Sequence, residues 1–102
     1  MIRRPQLLEA EARIATYEAS RYLTQVAEAW VHTYPVRYDA LTGEVELPGA
    51  KLAMTADGDS LTLRLVGSDE DGFEAAKLSV ARHVDRAAAR DAGVRCVWHQ
   101  LS

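Results

Sequence analysis

Apolar and polar residues alternate along most of this chain, at the two spacings that distinguish strands from helices. From Leu8 to Ile14 every second residue is apolar, which is typical of a strand with one buried face. Thr16 is expected to cap a helix, because apolar residues recur at helical spacing after it. Pro35 disfavours helical geometry in the residue before it, so this helix should end by about Thr33. The buried stripe of the helix is predicted to comprise Tyr22, Leu23, Val26, Ala27, Trp30 and Val31.

Four short alternating segments follow the first helix, each bounded by a turn signal. They span 36–40, 44–47, 51–56 and 61–65, with turns expected at Thr42-Gly43, Pro48-Gly49 and Asp57-Gly58-Asp59. The Asp-Gly turn indicates the clearest hairpin, because these residues readily adopt the positive φ angles of a tight turn. The middle of the chain is therefore predicted to be a series of strands.

A second helix and a last strand complete the pattern. Ser68 is the expected N-cap of the helix, with Asp71 at the matching position of a capping box, and Gly93 is the expected left-handed residue after the helix. The final strand spans 94–99, with Val94, Cys96 and Trp98 on one face. The buried stripe of the second helix comprises Phe73, Ala76, Val80, Val84 and Ala87.

These elements predict an α+β fold in the order β-α-β-β-β-β-α-β. Two amphipathic helices and a one-sided sheet bury their apolar surfaces together only as a two-layer sandwich, with both helices on one face of a mostly antiparallel sheet. A chain of 102 residues fits one domain over 1–102, with residues 1–7 as an N-terminal arm. The pattern does not specify the order of strands in the sheet.

Charge and cysteine usage restrict the class of protein. A net charge of −3, from 12 basic and 15 acidic residues, argues against a nucleic-acid partner, since phosphate binding depends on clustered Lys and Arg. Cys96 is the only cysteine, so no intrachain disulfide is expected. No apolar run is long enough for a signal peptide or a membrane span. These features predict a cytoplasmic protein with no membrane partner.

Candidate ligand-binding residues lie on the two helices. His32 and Tyr34 come near the end of the first helix. A histidine there is either stabilised by the helix dipole and paired with Glu28, or it contributes to a ligand site. His83, Arg86 and Arg90 share one side of the second helix. The arginines, with Arg82, form either a solvated face or a row able to hold a carboxylate or phosphate.

No catalytic or metal-binding set emerges from the sequence. Cys96 and His99 are predicted on opposite faces of one strand, where they cannot bind one metal ion without distortion, so Cys96 is interpreted as a core residue. Neither a G-x-S-x-G motif nor a glycine-rich phosphate loop is present. We therefore assign no catalytic residue, metal ligand or cofactor, and favour a protein that is not an enzyme.

Several motifs resemble one bacterial family, catalogued as domain of unknown function 2218. They are RYLTQ at 21–25, Trp30-x-His32-x-x-Pro35-Val36, SLTLRL at 60–65, ARHVDR at 81–86 and Val97-Trp98. The resemblance extends from about Ala12 to Trp98. The family pattern places a histidine on each side of the helix tryptophan, and Ala29 stands at the first of these positions here.

The resemblance implies a small α+β fold and, through siderophore-interacting flavoproteins associated with some members, a link to iron acquisition. It implies no established reaction. The leading hypothesis is a non-catalytic binding or accessory domain, possible partners being such a flavoprotein or a second copy of this chain. An alternative is a metal- or haem-linked protein that uses His32 and His83. Another is a homodimer formed through the mixed-charge outer sheet face, with Glu9, Glu11, Arg13, Arg37, Asp39, Glu44, Glu46, Arg64 and Arg95.

Overall fold

The computed structural model describes residues 7–91 and 94–101, and within them the elements follow the predicted order. Most of the predicted N-terminal arm, residues 1–7, lies outside the described residues, and so does Gly93, the predicted end of the second helix. The elements are β1 (Leu8–Ala15), α1 (Ala19–Trp30), β2 (Val36–Tyr38), β3 (Thr42–Leu47), β4 (Ala50–Ala56), β5 (Ser60–Gly67), α2 (Glu70–Ala87) and β6 (His99–Gln100).

The six strands form one antiparallel sheet in the order β2-β3-β4-β5-β1-β6. β1 therefore inserts between β5 and β6, the arrangement that the pattern alone did not specify. Strand register aligns Leu52, Leu65 and Ala10 in one row across β4, β5 and β1, and all three are fully buried. Side chains alternate between the two faces of a strand, so this row defines the inner face of the sheet.

Both helices cover this inner face, which confirms the predicted two-layer α+β sandwich. Tyr22, Leu23 and Val26 of α1 are buried in one apolar cluster with Phe73 and Val80 of α2. The predicted stripes differ from the structure only at their ends.

In the first helix, Val31 is 42% exposed because α1 ends at Trp30. In the second, Ala87 is only partly buried, whereas Ala88, just beyond the end of α2, is buried.

Both predicted helix caps lie too early in the chain. The N–H of Thr16 donates to the carbonyl of Asp59, which extends the sheet to this residue. The Thr16 hydroxyl accepts the N–H of Glu18 at 3.0 Å in a local turn. The N-cap of α1 is therefore Glu18. In α2 the N-cap is Asp69 rather than Ser68. The Asp69 carboxylate accepts the N–H of Gly72 at 2.7 Å.

The predicted turn at Thr42-Gly43 is wrong, because both residues belong to β3. The chain reverses at 39–41 instead, where the Asp39 carboxylate accepts the N–H groups of Leu41 and Thr42 at 2.8 Å each. These bonds hold the pKa of Asp39 below its ordinary value. Gly43 is buried, and a methyl group added to it would lie 2.9 Å from the Met54 Cε. Glycine at this position leaves room for the end of the Met54 side chain and does not form a turn.

The final strand is shorter than predicted. Only His99 and Gln100 pair with β1, whereas residues 94–98 run beside α2. The Trp98 indole N–H donates to the carbonyl of Lys77 at 3.1 Å, which draws this segment away from the edge of β1. Arg95 is therefore exposed but does not belong to the outer sheet face, contrary to prediction.

The outer sheet face carries ion pairs between neighbouring strands of the same chain. Arg64 lies 3.2 Å from Glu9, and Lys51 lies 3.8 Å from Glu44. Part of the predicted mixed charge is thus compensated within one molecule, and homodimerisation through this face stays a prediction. In the described ranges neither helix has the length and apolar content needed to cross a bilayer.

Replacing Leu63 by Ala should destabilise the protein by about 2–5 kcal/mol, because it opens a cavity beneath both helices. Leu63 is fully buried in β5 at the centre of the sheet, whereas Leu78 on α2 is 62% exposed. Leu78→Ala should change the free energy of unfolding by less than about 0.5 kcal/mol. Urea unfolding of both variants tests this, and similar losses in the two would contradict the assignment of the core.

Candidate functional site

The two helices pack as antiparallel neighbours, and candidate residues follow the line between them. At the start of α1 the Arg21 guanidinium reaches the carbonyl of Ala87 at 3.4 Å and the carboxylate of Asp91 at 3.0 Å. At the end of α1 the Trp30 ring contacts His83, which lies in the second-last turn of α2. The start of one helix therefore lies beside the end of the other.

A surface cleft of about 370 Å³ opens where α1 begins and α2 ends. We call this the cationic cleft because three of its lining residues are arginines. Arg86 and Arg90, predicted as a pair on α2, both line it. Its lining residues are Arg21 and Gln25 of α1, Arg86 and Ala87 of α2, and Ala89 and Arg90 of the turn that follows α2.

The three arginines differ in their partners. Arg21 bonds to the Glu18 carboxylate at 3.1 Å and to Asp91, and the bond to Glu18 is the main reason why its pKa is raised. No carboxylate of the described residues lies within ion-pair distance of Arg86 or Arg90. The cleft thus combines one fixed guanidinium with two whose donors are not engaged by a carboxylate.

A buried tyrosine anchors this end of the molecule. Tyr22 is fully buried, and its hydroxyl donates to the same Asp91 carboxylate that binds Arg21. Burial, and secondly the bond to Asp91, raise the pKa of Tyr22. Asp91 therefore ties the turn after α2 to the first turns of α1, which fixes one wall of the cleft.

His83 is held in a defined orientation. Its ring centroid lies 4.2 Å from that of Trp30, which is buried, and its Nδ1 lies 2.8 Å from the carbonyl oxygen of Ser79. A carbonyl oxygen only accepts hydrogen bonds, so Nδ1 carries the hydrogen. The other ring nitrogen, Nε2, is consequently the acceptor in the neutral side chain.

Tyr34 and His32 lie beyond the end of α1, which the sequence pattern placed slightly later. Tyr34 is partly buried and lines a separate hollow of about 200 Å³ with Pro48, Gly72 and Ser79. His32 is exposed in the turn after Trp30. The described residues show no ion pair between His32 and Glu28, and the Glu28 carboxylate accepts the Tyr38 hydroxyl at 3.4 Å.

The structure does not join the two histidines of the metal hypothesis. Across 7–91 and 94–101 no hydrogen bond or ring contact links His32 to His83. The same ranges contain no group of three or more His, Cys, Asp or Glu side chains placed to hold a metal ion. His83 is instead one helical turn before Arg86 on α2, and it is not among the residues that line the cationic cleft.

Sequence reasoning found half of this cleft. The spacing of Arg86 and Arg90 predicts a shared site, whereas the pattern places Arg21 and Gln25 only outside the buried stripe of the first helix. Nothing in the sequence indicates that Asp91 binds Arg21. A contact between positions 70 residues apart has no local signal in a single sequence.

A family model described as an uncharacterized protein conserved in bacteria, domain of unknown function 2218, matches residues 11–99. The chain belongs to this family. The resemblance drawn from the sequence motifs is therefore confirmed, over nearly the same residues. No curated protein matches the chain.

Among solved structures, the chain is similar to the NMR structure of PA4090 from Pseudomonas aeruginosa. The two share 22% sequence identity, the match covers 90% of this chain and 95% of the other, and the TM-score is 0.73. At this identity the likeness concerns the fold alone. It agrees with the two helices and the antiparallel sheet described above.

Cys96 should react slowly with thiol reagents in the folded protein. Burial, and secondly the charge of Asp85, raise its pKa to about 12, and the thiolate is the reactive form. At about pH 8 only about one thiol in 10⁴ is ionised, so reaction with a disulfide reagent should be at least about 100-fold slower than in concentrated guanidinium chloride. Equal rates in the two solvents would contradict the partly buried, structural role of Cys96.

Proposed function

We propose that this chain is a non-catalytic binding or accessory domain whose ligand is a small organic anion held in the cationic cleft. The observation that carries the proposal is the meeting of Arg86 and Arg90 with Arg21 between the two helices. Guanidinium groups present several fixed donors and bind carboxylates through paired hydrogen bonds. Two of these groups have no carboxylate partner among the described residues.

The charge of the whole chain favours a small anion over a polymer. With a net charge of −3, the chain as a whole repels a polyanion such as nucleic acid. The three arginines of the site surround a cleft of about 370 Å³, which suits a ligand with one or two carboxylates. Each charge-assisted hydrogen bond contributes about 1.5–3 kcal/mol to binding.

The surroundings of His83 support binding rather than catalysis. Its Nδ1 is bonded to a backbone carbonyl, and its ring lies against that of Trp30 at a tilt of 38°. A nucleophile activated by a histidine needs its hydroxyl or thiol within hydrogen-bond reach of the ring. The thiol of Cys96 is un-ionised at neutral pH, so it does not supply such a nucleophile.

Iron or siderophore metabolism is the setting that we propose for this activity. Its support is the family's association with siderophore-interacting flavoproteins, one of which would be the partner. Iron chelates carrying free carboxylates have the charge that the cleft requires. In this role the domain would hold an anionic chelate or its fragment without changing it.

Succinate is a suitable first probe, because it carries two carboxylates and no other polar group. NMR titration should give saturable shifts in the amides of Arg86, Arg90 and their neighbours. In the double variant Arg86→Gln/Arg90→Gln the dissociation constant should rise at least about 10-fold, through loss of two charge-assisted contacts.

The matched control is Arg13→Gln, which removes an exposed arginine from the opposite side of the sheet. It should leave the dissociation constant within about twofold of wild type, because this residue is remote from the cleft and contributes only through net charge. Absence of saturable binding, or equal losses in the control and the double variant, would overturn the proposed function.

A second candidate function is haem or metal binding through His83. It is favoured by the hydrogen bond from Nδ1 to a carbonyl, since ligating histidines commonly donate their other ring N–H to such a group. Haemin titration should then give a saturable Soret shift that His83→Ala removes and His32→Ala leaves intact. A spectrum unchanged by haemin, or unaffected by His83→Ala, would exclude this candidate.

A further inference from the structure

We propose that residues 95–98, which we call the strap, exchange between their position beside α2 and a second position, in which they pair with β1 and lengthen β6. β1 pairs with β5 along its whole length, but β6 pairs with it only at Ala10 and Glu11. Among the described residues, the β1 edge from Ala12 to Ala15 therefore has no neighbouring strand. An open edge is prone to pair with other chains, and the second position of the strap covers it.

The open edge of β1 presents backbone groups without a partner. Thr16 donates its N–H to the turn before β5, whereas the carbonyl of Glu9 accepts an N–H from the residue after β6. Successive residues of a strand direct their N–H and C=O groups to opposite sides, so those of Arg13 and Ala15 point away from β5. In the described part of the chain no hydrogen bond reaches these groups.

The strap carries complementary groups in a matching register. Continuing the β1–β6 pairing beyond its last pair places Val97 opposite Arg13 and Arg95 opposite Ala15. The backbone N–H groups of Val97 and Arg95 have no partner among the described residues either. Val97 and Arg13 each lie two residues from the last pair, which keeps the two backbones within reach of each other. Pairing at both positions forms about four hydrogen bonds.

The faces of the two segments also agree. Cys96 and Trp98 pack against the core, whereas Val97 between them is exposed. In β1, Ala12 and Ile14 are buried on the inner face, and the residue between them is exposed. Pairing therefore needs a shift of the strap backbone but no rotation, because each side chain stays on its present face.

Two contacts hold the strap beside α2. The Trp98 indole N–H donates to the carbonyl of Lys77 at 3.1 Å, and the N–H of Cys96 donates to the Asp85 carboxylate at 3.4 Å. The second contact exceeds the usual range of about 2.7–3.2 Å for such bonds. Pairing forms more hydrogen bonds than it breaks but orders the strap, which offsets part of the gain. The paired position is therefore a minor state, populated at about 1–10%.

Relaxation dispersion of backbone ¹⁵N nuclei detects a minor state that exchanges in microseconds to milliseconds. Wild type should show dispersion at the amides of Arg13, Ala15, Arg95 and Val97. The profiles should not change with protein concentration, because the strap and β1 belong to one chain. Flat profiles at Arg13 and Ala15, or dispersion that grows with protein concentration, would overturn the inference.

Val97→Pro distinguishes the two positions of the strap. Proline lacks the N–H that pairing directs to Arg13, whereas the present position leaves this N–H without a partner among the described residues. The variant should fold and lose the dispersion at Arg13 and Ala15. Val97→Ala is the matched control, since it keeps the N–H and removes only an exposed side chain, and it should retain the dispersion. Dispersion that persists in Val97→Pro, or that disappears in both variants, would contradict the pairing.

Discussion

Burial of a single face of the sheet is the constraint on which the rest of the structure depends. Alternate residues of β1, β3, β4 and β5 are apolar on that face, and only the two helices are available to cover it. The helices must therefore lie side by side, with Trp30 at the end of one against His83 near the end of the other. The cationic cleft is a consequence of this packing, because it opens where the start of α1 lies beside the end of α2.

Local periodicity predicted the elements and their buried faces because both depend on neighbouring positions. The alternation of Leu61, Leu63 and Leu65 in β5 and the spacing of Phe73, Ala76 and Val80 in α2 each reflect one buried surface. The start of the first helix was harder, because its geometry depends on a distant partner. Thr16 extends the sheet through a bond to Asp59, and no local feature of the sequence specifies that bond.

Glycine and tryptophan explain the two larger differences between prediction and structure. Glycine is typical of turns, yet Gly43 lies within β3, where the absence of a side chain leaves room for Met54 and Leu23. The segment before β6 has a perfect strand alternation, yet the Trp98 indole bonds to α2 and keeps residues 94–98 off the sheet edge. In both places a contact between layers outweighs a pattern along the chain.

The charges around the cleft largely cancel, so the orientation of the hydrogen-bond donors matters there more than the total charge. Arg21, Arg86 and Arg90 contribute three positive charges, and Glu18 and Asp91 contribute two negative ones, which leaves a net charge of +1. Asp91 accepts from the buried Tyr22 as well as from Arg21, so the Arg21 guanidinium is oriented by a carboxylate that a buried residue also binds. An anion entering the cleft would meet one guanidinium whose direction is set by the fold, and Arg86 and Arg90 would supply the uncompensated charge.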